Sequence, residues 1–513
     1  MKFITGFDRN QIQFFAYEEL ISQHNDVRLI ELFVQSLDLK TLDFDMDFTD
    51  NGRPAYHPAD LLKLYIYGYL NRIRSSRQLE KECSRNIEVM WLMRGLAPDH
   101  NTIANFRKDN AKAIRQVFKR TVSMAQHFDL IGGTLLAGDA TRMRAQNSKK
   151  NNFNEKKIER HLEYIEKKLD EYNQILATED GDVLSEEDKE NIQTKILKHK
   201  KHQAGYHQLK EQLKQSGETQ ISTSDPESKQ LMVRNNIAEV CYNTQTTVDA
   251  KHCIPIDFQV TNQNDSKAMG NMLHRAKDIL QHNNFTALYD KGYHTGSELA
   301  EAEKLDIPVL VAIPAVAAHA PDIRYDVEHF IYNQNDDTYT CPEGQTLHTN
   351  GKWYTKERTA STIQVKHYKT AECLSCTAFE QCTKNKKGRL IERSQYQQQV
   401  DNNAKRVAQN KEVYKQRQAI VEHPYGTIKR QWGFDHIITK KGMQRASADV
   451  GLMFCAYNLR RIINLMDKNV LKAYLRALCS IFDLYISCFK PKWARRFFNP
   501  FPTGIFPSIL IVA

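Results

Sequence analysis

Two short stretches decide the fold of this chain: TLLAGD at residues 134–139 and FTALYD at residues 285–290. Each is an apolar run bounded by glycine or polar residues, which is typical of a buried β-strand. Each ends on a carboxylate, Asp139 in the first and Asp290 in the second. Functional sites gather at the carboxyl ends of strands in open α/β sheets, so we expect both acids to belong to one site.

The sequence around the second stretch predicts a sheet that is at least partly parallel. Strands are predicted at residues 237–248, 254–260 and 307–313, and helices at residues 268–280 and 297–304. A strand, a helix and a second strand in succession form the unit that builds parallel pairs.

Length, composition and charge restrict the class of protein. A chain of 513 residues is too long to fold around one small hydrophobic core, so roughly two to four domains or subdomains are expected. Hydrophobic and charged fractions of 41% and 26% exclude collagen-like, wholly disordered and membrane classes. The net charge of +10 favours an anionic partner, most commonly nucleic acid. We expect no signal peptide and no membrane span, and therefore a cytoplasmic protein.

The first 130 residues are expected to form a helical domain, because their apolar residues recur at spacings of three and four. The last predicted helix begins near Asp99 and follows shorter ones, as in a helix-turn-helix whose final helix enters the major groove. Its polar residues would then face DNA: Asn101, Thr102, Asn105, Arg107 and Lys108. A small helical bundle with a solvated polar face is an equal alternative.

Two further segments interrupt the predicted sheet domain. Residues 147–220 are rich in Lys, Glu and Gln and predict a helical hairpin that breaks at Gly181 and Asp182. The basic run at Lys198, Lys200 and Lys201 is expected to be a solvated face. Residues 314–405 predict a second insert with strand-like stretches.

The second insert holds four of the ten cysteines: Cys341, Cys373, Cys376 and Cys382. Four thiolates can close a structural Zn²⁺ site, and His348 or His367 could replace one of them. Reduced cysteines without metal are the alternative. Cys83 and Cys455 are expected in hydrophobic cores. Trp353 and Trp432 could stack on an unpaired base during strand opening, although a position in the core is the favoured interpretation.

A third acid, Glu422, lies in a predicted helical segment at residues 410–467. Lys429 comes seven residues later, about two helical turns, so the two would share a face if the helix continues. Glu422 would hold metal, while Lys429 and the adjacent Arg430 would reach phosphate. Pro424 is accommodated if the helix starts near Glu422.

Three carboxylates from distant points in a chain can gather two hard cations such as Mg²⁺ or Mn²⁺. Such a pair suits the cleavage of phosphodiester bonds, where both the attacking and the leaving oxygen need stabilisation. Asp139, Asp290 and Glu422 are therefore the candidate catalytic and metal-binding residues. Three other acids compete with Asp290 for its role: Asp249, Asp257 and Asp265.

Three stretches around these acids resemble the motifs of DDE transposases from bacterial insertion sequences: GDAT at 138–141, LYDKGY at 288–293 and VEHPYGTIK at 421–429. Other stretches resemble further parts of that family: GRPAY at 52–56, YGYL at 67–70, RSSR at 74–77, DPE at 225–227, YNTQ at 242–245, GLMF at 451–454 and YNL at 457–459. The resemblance covers nearly the whole chain.

The resemblance implies a multidomain α+β protein with a ribonuclease-H-like mixed sheet. The expected domains are a helical DNA-binding domain at residues 1–130, a DDE catalytic domain at 131–467 containing both inserts, and a tail at 468–513. It also implies Mg²⁺, double-stranded DNA with terminal inverted repeats as substrate, strand transfer into a target, and a homodimer or higher assembly at the nucleoid.

One spacing departs from the family pattern of Tyr, Arg, Glu and Lys. Four residues separate Arg417 from Glu422 instead of three, whereas Tyr414 to Arg417 and Glu422 to Lys429 fit the pattern. The departure puts the role of Arg417 in doubt. A transposase-derived nuclease, or a DNA-binding protein without strand transfer, is the alternative function.

Overall fold

The computed structural model describes residues 14–46, 54–178, 185–234, 237–315, 320–358 and 361–489. These residues form two compact units. Unit 1 holds those up to Val117 and those from Leu459 onward, and unit 2 holds those from Phe118 to Asn458. The domain boundaries at residues 130 and 467 stay a prediction. Expectations for Gly52, Arg53, Gly181, Asp182 and residues 490–513 lie outside the described residues.

Helices dominate the described chain. They are α1 Tyr17–Leu20, α2 Val27–Gln35, α3 Pro58–Leu70, α4 Ser76–Arg85, α5 Ile87–Leu92, α6 His100–Asp109, α7 Ala111–His127, α8 Glu155–Thr178, α9 Glu186–Ser216, α10 Met269–Leu280, α11 Gly296–Lys304, α12 Phe379–Cys382, α13 Gln397–Gln409, α14 Lys411–Tyr425, α15 Met443–Leu465 and α16 Lys468–Phe489. None of the helices in the described ranges is long and apolar enough to cross a membrane.

The strands belong to unit 2. They are β1 Leu135–Arg144, β2 Asn152–Phe153, β3 Ile221–Ser222, β4 Lys229–Arg234, β5 Ile237–Asp249, β6 Ile254–Thr261, β7 Thr286–Tyr289, β8 Val309–Val311, β9 Ile331–Asn333, β10 Thr338–Thr340, β11 Thr346–Thr349, β12 Tyr354–Arg358, β13 Ser361–Lys369 and β14 Ile391–Ser394. The fold is therefore α+β with more than one compact unit.

Unit 1 is helical, as predicted for the start of the chain. Helix α3 begins with Pro58 in its first turn, and the His57 side chain accepts a hydrogen bond from the Ala59 amide. The Asp99 carboxylate caps α6 by accepting from the amides of Asn101 and Thr102. Helix α16 packs against α2, so the carboxyl-terminal end of the described chain is part of this unit.

The central sheet of unit 2 is mixed. β5 is antiparallel to β1 on one side, and on its other side it pairs with β6 and β4. β7 is parallel to β1, and β8 is parallel to β7. The strand–helix–strand prediction is thus correct, because α11 lies between two parallel strands in the chain.

The two strands that carry the candidate acids end differently. β7 ends at Tyr289, directly before Asp290, as predicted. The prediction that the first strand ends on Asp139 is wrong, because β1 continues to Arg144. Its pairing with β5 extends from Leu136 to Arg144, well beyond the last residue paired with β7, Ala137.

Helices α8 and α9 lie between β2 and β3 and pack side by side. His161 of α8 stacks on Tyr206 of α9 with ring centroids 4.9 Å apart. The hydrophobic cluster that joins the helices lies near the end where β2 pairs with β3: Phe153, Ile158, Leu162 and Leu213. The two helices are thus anchored at one end to the strand pair that follows β1.

A second sheet contains β9 to β14 and joins strands of the cysteine-containing segment. Its core is aromatic and includes Phe330, Tyr339, Leu347, Tyr368 and Ile391. Trp353, expected in a core, is instead 49% exposed, with the Lys366 ammonium 5.2 Å from its ring centroid.

The segment around Glu422 differs from the prediction that a helix starts there. Helix α14 begins at Lys411, and Glu422 lies in its last turn. After Pro424 the chain forms a π-helical turn, Gly426–Gln431, before α15 begins at Met443. Proline removes a hydrogen-bond donor from the helical ladder, which accounts for the change from α to π spacing at this point.

Candidate active site

Asp139 lies in the middle of β1, two residues beyond the last residue that pairs with β7. The preceding residue must be small: a Cβ added to Gly138 would lie 2.0 Å from the Tyr289 ring. Tyr289 is fully buried and is the residue directly before Asp290. The close approach of Gly138 to Tyr289 therefore brings the chain segments of the two acids together.

Burial raises the pKa of Asp139 to about 6, and the negative charge of Asp290 acts in the same direction. The Arg417 guanidinium and the Ala140 amide oppose this rise. Arg417 donates to the Asp139 carboxylate at 3.2 Å, and the Ala140 amide donates to it at 2.7 Å. Asp139 and Asp290 are thus close enough to repel each other, with Arg417 neutralising part of that charge.

Asp290 is half-buried and caps the turn that follows β7. Its carboxylate accepts a hydrogen bond from the Gly292 amide at 2.8 Å. Tyr293, at the end of this turn, is fully buried and its ring packs at a tilted angle against that of Tyr289, with ring centroids 5.0 Å apart. The turn is therefore held by buried aromatic rings while the Asp290 carboxylate stays at the edge of the sheet.

The three acids that competed with Asp290 in the sequence each have structural partners. Asp249 is fully buried and accepts from the amides of Gly132 and Gly133. Asp257 forms an ion pair with Arg275 at 2.6 Å. These contacts satisfy the buried carboxylates at both positions.

Glu422 is carried across the sheet by α14. The residues before it, Ile420 and Val421, are buried in a cluster with Ala137 of β1 and Leu288 of β7. The Glu422 side chain is exposed and accepts a hydrogen bond from Gln418 at 2.8 Å. Arg417 and Tyr425, which both contact Asp139, flank it along the helix.

The end of α14 and the π-helical turn cover the part of β1 that has no strand neighbour on the β7 side. The Tyr425 hydroxyl donates to the Asp139 carbonyl at 3.1 Å, and the Lys429 ammonium donates to the Arg142 carbonyl at 3.0 Å. The Ile437 amide donates to the Arg144 carbonyl at 2.7 Å. The Lys429 and Ile437 donors satisfy backbone acceptors that a neighbouring strand would otherwise pair, whereas the Asp139 carbonyl lies on the side of β1 that pairs with β5.

Lys429 and Arg430, both expected to reach phosphate, lie differently. Besides the Arg142 carbonyl, the Lys429 ammonium donates to the Thr141 hydroxyl at 2.9 Å, so it faces β1. Arg430 is exposed. The predicted common face of Glu422 and Lys429 fails in the π-helical turn, since its spacing differs from that of an α-helix.

The structure brings Asp139 and Asp290 together and places Glu422 on the adjoining helix. Within the described ranges, no three His, Cys, Asp or Glu side chains are placed so as to hold a metal ion. The donor set nevertheless fits a hard divalent cation, because such ions prefer carboxylate oxygens and keep coordination positions for water. Glu422 would have to turn from Gln418 to join the other two acids.

Asp265 supports this site in a way that the sequence did not reveal. Its carboxylate accepts from Asn243 and Gln245 of β5, each at 2.7 Å, and from Arg142 of β1 at 3.0 Å. Gln245 in turn accepts from the buried Tyr293 hydroxyl. Asn243 and Gln245 alternate along β5 and so share a face, a pattern within YNTQ that could have identified them.

The four cysteines of the predicted zinc site line one small cavity of about 30 Å³. The thiol of Cys341 accepts a hydrogen bond from the Gln345 amide at 3.3 Å. Burial raises the pKa of the Cys382 thiol, and the guanidinium of Arg389 opposes that rise. The lining as described includes neither His348 nor His367. The prediction that the four cysteines lie together is thus confirmed. Their side chains are not placed so as to hold a metal ion.

In unit 1, the structure separates the residues expected to face DNA. Asn105 is exposed and Lys108 is half-buried, and their side chains are 3.0 Å apart. The expectation that Arg107 faces DNA is wrong, because this side chain is only 4% exposed. Its guanidinium donates to the Tyr69 hydroxyl at 2.9 Å and to the Arg74 carbonyl at 3.0 Å. Arg107 therefore stabilises the interior of unit 1.

The DPE stretch at residues 225–227 holds the start of α15. The Asp225 carboxylate accepts from the Gly442 amide at 3.0 Å and from the Tyr242 hydroxyl at 2.7 Å. Glu227 accepts from the Met443 amide at 2.7 Å. Carboxylates are favourable at a helix amino terminus, so these contacts fix the segment that follows the π-helical turn.

Comparison with known families gives two matches in different parts of the chain. A family model described as Transposase domain (DUF772) matches residues 15–109, and one described as Transposase DDE domain matches residues 340–463. The second match includes Glu422 and the four clustered cysteines. No curated protein matches the chain. A transposase model matched in unit 1 and a transposase DDE model matched over the segment that carries Glu422 together match a DDE transposase of insertion-sequence type.

Proposed function

We propose that this transposase binds the terminal inverted repeats of an insertion sequence and catalyses metal-dependent DNA cleavage and strand transfer. The observation that carries the proposal is the pairing of Asp139 and Asp290 at one part of the sheet, with the Glu422 helix bound across it. A strand-transfer assay tests this proposal. Its substrate is a mini-element, a short DNA that carries the two terminal repeats, whose sequences are taken from the DNA flanking the gene. Cleavage without joining would favour a transposase-derived nuclease, and binding without cleavage a DNA-binding protein.

We propose a ribonuclease-H-like core for unit 2. Its support is a mixed sheet in which antiparallel β5 and β6 lie on one side of β1 and parallel β7 and β8 lie on the other. The helices α8 and α9 would form one insert, and the second sheet with the cysteines the other.

The proposed chemistry assigns distinct tasks to the residues of the site. Asp139, Asp290 and Glu422 would hold two divalent cations, Mg²⁺ or Mn²⁺. Bound cations would supply an activated oxygen nucleophile and neutralise charge on the phosphate and leaving oxygen. Tyr425 and Lys429 keep β1 in place through its carbonyls. Arg417 would release Asp139 and neutralise a nearby phosphate, and the exposed Arg430 would contact the DNA backbone.

Unit 1 is proposed to recognise the end of the element through α6. In the full-length chain, Asn105→Ala and Lys108→Ala should each weaken binding to an end duplex by about fivefold to tenfold, and binding should fall steeply with salt. Competition titrations of end duplex against random duplex measure this. Lys40→Ala, an exposed lysine after α2, is the control and should bind normally. If the α6 variants preferred the end duplex over the random duplex as strongly as the wild type does, another part of the chain would recognise the end.

Arg107→Ala is unsuited to that test, because the loss of a buried guanidinium should lower the stability of unit 1. A fragment of residues 1–130 is also unsuitable. It would lack Arg460, which forms an ion pair with Asp26 at 3.3 Å, and the packing of α16 on α2.

The cysteine cavity is proposed to hold one structural zinc ion. Its support is the convergence of four cysteines on one cavity, with an amide donating to the Cys341 sulfur, a contact that favours a thiolate. Cys376→Ser should reduce the zinc content from one ion per chain to nearly none by elemental analysis. It should also increase amide exchange in β10 to β13. Cys253→Ser, in another half-buried cysteine, should retain zinc. Metal-free wild-type protein would contradict the zinc site alone.

The remaining parts of the proposal concern assembly and location. Pairing two DNA ends would require a homodimer or higher assembly on DNA. The DNA substrate would place the protein at the nucleoid.

A further inference from the structure

The middle of α9 is strongly basic and has no acidic residue. From Lys195 to Lys210 it holds five lysines and three histidines and neither Asp nor Glu. Four of the lysines are exposed: Lys195, Lys198, Lys200 and Lys201. Lys195, Lys198 and Lys201 follow one another at intervals of three residues and so share one side of the helix, whereas Lys200 lies on another side. We call Lys195, Lys198 and Lys201 the α9 lysine face.

Among the residues that the structure describes, no carboxylate forms an ion pair with Lys195, Lys198, Lys200 or Lys201. Other lysines of the same two helices are paired: Lys168 with Glu171 at 2.6 Å, and Lys210 with Glu159 at 3.0 Å. Like charges three or four residues apart destabilise a helix, so this arrangement has a cost that packing of the helices does not explain.

The packing of α9 does not use these lysines either. Its contacts with α8 are made by other side chains, such as Tyr206 with His161 and Leu213 with Leu162. Leu197, in the same stretch, is 69% exposed. The face is therefore available to a partner, and its chemistry fits a polyanion.

The place of α9 in the fold indicates which polyanion. The chain leaves the sheet at Arg144, the carboxyl end of β1, and enters α8 at Glu155. β7 is parallel to β1 and ends directly before Asp290, so α8 and α9 depart from the end of the sheet where Asp290 lies. A duplex held at the acids would continue from that end of the sheet.

We propose that the α9 lysine face binds the phosphate backbone of the duplex DNA held at the acidic site. This inference rests on the proposed function. The face, from Lys195 to Lys201, is about 9 Å long at 1.5 Å per residue. That length matches about three base pairs at 3.4 Å each. The contacts read no bases, so they add affinity without sequence preference.

The experiment compares two double variants of the full-length protein. Lys198→Gln/Lys201→Gln removes two unpaired charges, and Lys168→Gln/Lys210→Gln removes two charges that carboxylates already neutralise. The probe is a random-sequence duplex of about 40 base pairs, titrated over a range of salt concentrations. The slope of log K against log salt is negative, and each lost phosphate contact should reduce its magnitude by about 0.9. The magnitude should therefore fall by about 1.8 in the first variant and by much less in the second.

Affinity at low salt should fall by about tenfold or more in the first variant, with unchanged helix content by circular dichroism. An unchanged slope and affinity, or an equal loss in both variants, would overturn the proposal. Mini-element cleavage by the wild type is scored separately. Normal cleavage with an unchanged slope refutes the α9 lysine face alone, whereas no cleavage refutes the proposed function whatever the slope.

Discussion

Replacing Asp139, Asp290 or Glu422 by alanine should abolish DNA cleavage while leaving binding to DNA ends nearly intact. Each carboxylate would hold metal and would make no direct contact with DNA, so its removal takes away charge stabilisation of the transition state. A loss of at least about 10²–10³-fold is expected, as for the removal of one preorganised electrostatic group. Binding should tighten slightly, because one negative charge near phosphate disappears. Single-turnover cleavage and end-binding titrations measure the two effects.

A matched control lies on the same helix as Glu422. Glu412 is an exposed carboxylate of α14 that pairs with Lys415 at 2.6 Å. Glu412→Ala should cleave at the wild-type rate. Mg²⁺ or Mn²⁺ should support cleavage, whereas Ca²⁺ should permit binding with little cleavage because its coordination is looser. Near-normal cleavage by Asp290→Ala would move the second acid to another position, and near-normal cleavage by all three variants would refute the two-metal site.

The second large effect is expected from Gly138→Ala. The added methyl group would lie 2.0 Å from the ring of Tyr289, which is fully buried, so the ring or β1 must shift. Overpacking of this kind costs about 1–3 kcal/mol and more where nothing can yield. Both neighbours of this contact, Asp139 and Asp290, would move with it. We expect a thermal unfolding midpoint several degrees lower and a cleavage rate reduced by at least about tenfold.

Gly205→Ala provides the comparison. Gly205 lies in α9, and a Cβ added there meets no atom within 4 Å. Alanine is favoured over glycine in a helix by about 0.8–1.0 kcal/mol, so this variant should be as stable as the wild type or more stable. A Gly138→Ala protein with the wild-type midpoint and cleavage rate would show that the Tyr289 ring yields freely.

Local patterns predicted much of unit 2 from the sequence. The strand before Asp290 was correct because β7 ends where its apolar run ends. The predicted β1 is too short because its apolar run stops at Gly138, whereas its pairing with β5 continues through polar residues such as Thr141 and Arg142. Hydrophobic periodicity detects burial, and it does not detect the hydrogen bonds of a strand that continues past its buried part.

Tertiary contacts account for the other errors. Arg107 has the sequence position of a DNA-facing residue, yet its partners Tyr69 and Arg74 lie more than thirty residues away in the chain. The support that Asp265 gives to Asn243 and Gln245 depends likewise on the packing of separate strands. The motif identifies Glu422, whereas its position beside β1 and β7 depends on how α14 packs on the sheet.

The cover over β1 also has a consequence during synthesis. The donors that contact this part of β1 are synthesised much later than β1 itself. The Tyr425 hydroxyl, which donates to the Asp139 carbonyl, is 286 residues further along the chain, and the Ile437 amide, which donates to the Arg144 carbonyl, follows it. A nascent chain that has reached only α13 has made both aspartates, but it lacks the segment that completes their surroundings. Contacts between such distant residues form late. A ribosome-bound or prematurely terminated product would therefore lack the assembled site, and the proposed DNA cleavage would require nearly the whole protein to have been made.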